Sequence, residues 1–118
     1  PLKKLRQRVA KGEIVLVEFP FTSGETAKRR PAIILLDTGD DDVIVARVTS
    51  QEGRHEFDVE LKDWKPAGLL RESIVRVHKL ATLEKAVIGR RMGKLSEPDW
   101  KNVKVAIEKL WEHLDIDD

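Results

Sequence analysis

The residues best suited to chemistry fall in two short stretches. "GETAKRRP", residues 24–31, crowds Lys28, Arg29 and Arg30 against Pro31. Proline disfavours helical geometry at the residue before it, so Arg30 is held extended at the mouth of a strand. A guanidinium presented with little backbone freedom is a planar donor fork suited to a phosphate. Composition alone favours a solubilising loop with a local Arg–Glu25 pair. The second stretch, "RVTSQ", ends an apolar segment in Thr49 and Ser50, followed by Gln51. Hydroxyls at a strand end are usually turn formers.

Other candidates are more scattered. His55 lies in a loop shortly after Thr49 and Ser50, His78 within a strand, and His113 near a helix end. None has metal-ligand spacing. Trp64 in "KDWKPAGL" is either a packing lid or a platform for a base. The acidic run Asp40-Asp41-Asp42 lacks the spacing of a calcium loop and reads as a hairpin turn. No nucleophile-elbow motif is present. The chain has no cysteine, which removes disulfides and thiolate sites.

The elements that must position these residues follow from periodicity. "EIVLVEF" alternates as a strand closed by Pro20. "PAIILLD" is apolar on both faces and reads as central. "VIVARVTS", "HEFDVEL", "SIVRVHKL" and "GRRMGKL" complete the strands, with "KDWKPAGLLRE" as an irregular connection. Ser96 caps a C-terminal helix with Pro98 and Asp99 in its first turn. Trp100, Val103, Ile107, Leu110, Trp111 and Leu114 follow on one face, and both tryptophans are expected in the core. The expectation is a mostly β fold with some α, a small barrel of five to seven strands with a C-terminal helix.

The 118 residues suit one domain, at 11–118, behind a basic arm at 1–10. Net charge is only +1, but over residues 1–36 Lys and Arg outnumber Glu eight to three, which is compatible with a polyanion ligand. No apolar run reaches membrane-span length and no signal peptide is evident, so a cytoplasmic protein is expected.

Taken in order, "KGEIVLVEF", "GETAKRRPAIIL", "VIVARVTS" and "LLRESIVRVHKLATL" resemble the PemK/MazF family of toxin endoribonucleases over roughly residues 11–114. The resemblance implies an SH3-like barrel, usually a homodimer. It also implies metal-independent cleavage of single-stranded messenger RNA, with no cofactor, leaving a 2′,3′-cyclic phosphate and a 5′-hydroxyl. An acidic antitoxin is the implied partner. On this resemblance Arg30 and Thr49 are catalytic, with Ser50 beside them and Glu25 or His55 as candidate base. Lys28, Arg29, Gln51, His55, Trp64 and Arg71 are the expected RNA-binding residues. Lys28 stands where the family often has Gly, and Thr26 where Gln is frequent. The competing readings are a non-catalytic SH3-like module holding nucleic acid or an acidic peptide, and toxicity through protein binding, as in the gyrase-poisoning toxins of the same architecture. Arg30 and Thr49 around one cavity would favour the nuclease.

Overall fold

The computed structural model describes residues 8–18, 29–53 and 55–115. Six strands and one helix run in chain order: β1 Glu13–Glu18, β2 Arg29–Asp37, β3 Asp42–Thr49, β4 Asp58–Glu60, β5 Ile74–Glu84, β6 Ile88–Lys94 and α1 Glu97–Glu112. They form one antiparallel sheet in the order β4-β5-β3-β2-β1-β6. The expected mostly β architecture with a C-terminal helix is therefore observed.

Alternation along the central strands feeds two apolar clusters. Ile14, Ile33, Ala46 and Val48 pack with Val75, Val77 and the helix residues Val103 and Ala106. Val15, Val17, Ala32, Ile34, Val43 and Val45 pack on the other side with Ile88. Fully burying each valine or isoleucine among them contributes about 1.5–3 kcal/mol, so β1, β2 and β3 are fixed in register from both faces. This is why "PAIILLD" lacks a polar face. The β2–β3 hairpin turns at Gly39, whose φ of 90° suits glycine. Asp37 accepts from the Gly39 N–H and Asp40 from the Asp42 N–H, so the acidic run is turn chemistry.

Three expectations need adjustment. β4 is only Asp58–Glu60, because the residues before it turn about His55. β5 runs on to Glu84, pairing with β3 past a bulge between Ala46 and Arg47. Trp111 is not core. Asp99, Val103 and Ala106 form the buried line of α1, with Trp100, Ile107 and Leu110 beside it. Trp111 lies one further rotation of about 100° round the helix from Leu110, and it is 69% exposed, with Leu114 at 64%.

The helix start is built as its sequence suggests, with one addition. Ser96 Oγ accepts from the Asp99 N–H at 3.3 Å. The Asp99 carboxylate, fully buried, reaches out of the helix and accepts from the Lys62 and Asp63 N–H groups at 3.0 and 2.8 Å. One carboxylate thus fastens the start of the 62–71 connection to the helix. Further along, Gly68, at φ 97°, lies backbone to backbone against Met92 and Gly93 of β6. A Cβ at Gly68 would collide with the Met92 carbonyl oxygen. The connection between β4 and β5 is therefore tied to both the helix and the far edge strand.

Candidate active site

Two strand ends make the site. In the β1–β2 pair Val17 faces Arg30 and Leu16 faces Pro31. The β2–β3 ladder begins only at Ala32 opposite Arg47. Pro31 has no N–H to give to a ladder, and from here the ends of β2 and β3 border a cavity. Continuing the register by two residues sets Arg30 opposite Thr49. Both line a cavity of about 290 Å³, with Arg29, Ser50 and Arg71. Side chains from the far ends of two consecutive strands, β2 and β3, are thus brought to one place.

The charges in this cavity differ in their partners. Arg29 is 60% exposed and meets Glu18 at 3.6 Å. Among the described residues, Arg30 has no carboxylate within ion-pairing reach, although it is only partly exposed. The Arg71 backbone is held by the Ser73 hydroxyl, which donates to its carbonyl at 2.8 Å. Thr49 Oγ1 accepts from the Gln51 N–H at 3.2 Å, which leaves the hydroxyl hydrogen to donate into the cavity.

A second cavity of about 480 Å³ adjoins the first and shares Ser50 and Ser73 with it. It is lined by Gln51 and Trp64 together with Glu52, Glu60, Lys62 and Glu72. Trp64 packs on the main core and also lines this cavity. His55 lines neither cavity. Its Nδ1 accepts from the Phe57 N–H at 3.2 Å, and its ring stacks on His78 at 3.9 Å between centroids. Burial, then the neighbouring His55, pushes the His78 imidazole below its ordinary pKa. His113 caps α1, bonding the Lys109 carbonyl at 2.9 Å and Glu56 at 3.1 Å. Glu25 and Lys28 lie outside the described residues. Leu70 and Met92, which also line the first cavity, carried no chemical signal in the sequence. Among the described residues no group of three His, Asp or Glu side chains is placed to hold a metal ion, and no helix is long and apolar enough to cross a membrane.

The chain thus combines a six-stranded antiparallel sheet and one C-terminal helix with an arginine and a threonine from adjacent strands lining one cavity. The profile of the PemK-like, MazF-like toxins of type II toxin–antitoxin systems matches residues 10–111. The chain belongs to that family. Solved structures agree on the fold. An endoribonuclease in complex with its cognate antitoxin from a mycobacterial species superposes with a TM-score of 0.74 at 15% identity, covering 93% of this chain and 100% of that one. Mycobacterium tuberculosis toxin MazF-mt6 gives 0.71 at 22% identity, with 88% and 99% covered. MazF from Deinococcus radiodurans gives 0.68 at 21% identity, with 90% and 99% covered. No curated protein sequence matches the chain.

Proposed function

We propose that this toxin is an endoribonuclease that cuts single-stranded messenger RNA at selected sequences, without a metal. The observation that carries the reading is the meeting of Arg30 and Thr49, from neighbouring strands, in one cavity, with the Arg30 guanidinium unclaimed by any described carboxylate.

On this reading a ribose 2′-hydroxyl attacks the adjacent phosphorus while the bond to the 5′-oxygen breaks. The products are a 2′,3′-cyclic phosphate and a 5′-hydroxyl. One proton leaves the 2′-hydroxyl to a base, with Glu25 the candidate, and one reaches the departing 5′-oxygen, with Arg30 the candidate donor. Negative charge grows on the non-bridging oxygens, where a fixed guanidinium stabilises the transition state. Removing one comparable donor elsewhere costs roughly 3–4 kcal/mol, or a few hundredfold in rate. Thr49 donates to a phosphate oxygen or orients the attacking hydroxyl. Ser50 assists Thr49 beside the phosphate, Arg29, Arg71 and Lys28 hold flanking phosphates, and Gln51 and Trp64 meet the nucleotides beyond. His55, built into the turn before β4, stands outside this machinery. The mycobacterial endoribonuclease of the same fold is bound to its cognate antitoxin, which supports an acidic antitoxin competing here for the same cations. The toxin itself acts as a cytoplasmic homodimer.

Arg30→Ala tests the site. Cleavage should fall at least a hundredfold while the thermal unfolding midpoint stays within about 2 °C, because the side chain makes no described ion pair. A folded variant that cuts as fast as the wild type would remove Arg30 from the mechanism.

A further inference from the structure

Leu70 is 89% exposed, more than any other large apolar side chain among the described residues. A single exposed leucine needs no explanation on most surfaces. Here it sits on a tightly held segment at the rim of the Arg30–Thr49 cavity. The 62–71 connection is fastened by Asp99 at its start, and the Leu69 N–H is bonded to the Trp64 carbonyl at 3.1 Å. Gly68 is packed against the β6 backbone and Leu69 is buried at 6% exposure. On the far side the Ser73 hydroxyl holds the Arg71 carbonyl. The core has taken Leu69 and left Leu70 facing solvent, and among the described residues nothing in the packing calls for an apolar residue there.

The cavity itself has two chemical halves. Arg29, Arg30 and Arg71 supply cations, while Leu16, Pro31, Leu70 and Met92 supply aliphatic surface. A bare phosphate would fill only the first half. A nucleotide fills both, because its base has apolar faces. No aromatic side chain lines this cavity among the described residues, so a base there is gripped by aliphatic contact and shape rather than ring stacking.

We propose that Leu70 is a specificity-determining residue that packs against the base next to the phosphate held by Arg30. The proposal rests on the RNA-cleaving reading and goes beyond it by naming the base contact.

The test uses the full chain and short single-stranded RNAs carrying one mapped cut site, intact or with the base on one side of the cut replaced by an abasic ribose. Wild type, Leu70→Ser and Leu70→Met are compared, with thermal unfolding as a check on fold. Loss of a largely buried leucine contact predicts about a tenfold drop in kcat/KM for Leu70→Ser, and near-wild-type rates for Leu70→Met. The abasic substrate should cost the wild type a similar factor and Leu70→Ser little more, since the two changes remove the same contact. If the wild type cuts and Leu70→Ser cuts as fast and at the same sites, the proposal is overturned and the nuclease reading stands. The same holds if that variant's only change is in self-association, which would place Leu70 against a second copy of the chain. A wild type that cuts no RNA overturns both.

Discussion

Asp99 offers the sharpest test of how the fold holds the site. Its carboxylate is wholly buried and accepts two backbone N–H groups from the 62–71 connection, at 3.0 and 2.8 Å. Hydrogen bonds to charged groups contribute about 1.5–3 kcal/mol each, and a buried donor left unpaired costs its full desolvation. An acidic side chain in the first helical turn adds about 0.3–1 kcal/mol. Allowing for shared relaxation, Asp99→Ala should destabilise by about 4 kcal/mol, a large share of the roughly 5–15 kcal/mol typical of a domain. For a chain of this size that lowers the unfolding midpoint by about 10–20 °C. The cap bond from the Asp99 N–H to Ser96 survives the substitution, so the loss reports mainly the long-range contact, with only the smaller first-turn charge contribution from the helix start. Asp99→Asn keeps one acceptor and should lose about half as much. Because the same connection carries Leu70 and Arg71 to the cavity, activity should fall further than the unfolded fraction explains. Urea unfolding of the three proteins measures the first effect. An Asp99→Ala protein within about 0.5 kcal/mol of wild type would refute the argument.

Two further predictions follow from local geometry. Gly68→Ala places a Cβ against the Met92 carbonyl at a φ of 97°, so it should destabilise by more than about 2 kcal/mol in the same denaturation assay. Burial, then the neighbouring His55, disfavours the charged form of His78, and its Nδ1 is enclosed and has no hydrogen-bond partner. Its folded pKa lies below the ordinary 6.5, so the unfolded chain binds more protons as pH falls below that value. Its contribution is complete above about pH 6.5 and is lost on acidification toward the folded pKa. His78→Phe should therefore lose less stability than the wild type between about pH 7 and pH 5.5, as thermal unfolding at both values would show.

Much of this was legible in the chain. Binary patterning located the strands because β1, β2 and β3 bury apolar side chains on both faces, and the capping residues Ser96 and Pro98 marked the helix. Arg30 and Thr49 were legible as candidates because Pro31 and a strand end are local signals. Their meeting in one cavity depended on the β2–β3 register, which turn chemistry at Asp37 to Asp42 helps to set. What escaped was long-range. Asp99 reads as a cap residue, yet its partners lie 36 and 37 residues away. Trp111 satisfies a helical pattern, but exposure in the last turn depends on how far the sheet extends beneath it. Leu69 and Leu70 are adjacent and identical in type, and only the packing of Gly68 on β6 decides which one the core receives.

We propose that Arg30 and Thr49 form a metal-independent phosphate-cleaving pair. The most direct measurement is to incubate the purified protein and its Thr49→Ala variant with a long single-stranded RNA in EDTA and to map the ends. Discrete cuts bearing 5′-hydroxyl and 2′,3′-cyclic phosphate ends, at least about a hundredfold fewer in the variant, are the predicted result. Cuts that require added magnesium, carry 5′-phosphates or persist in Thr49→Ala would contradict the account.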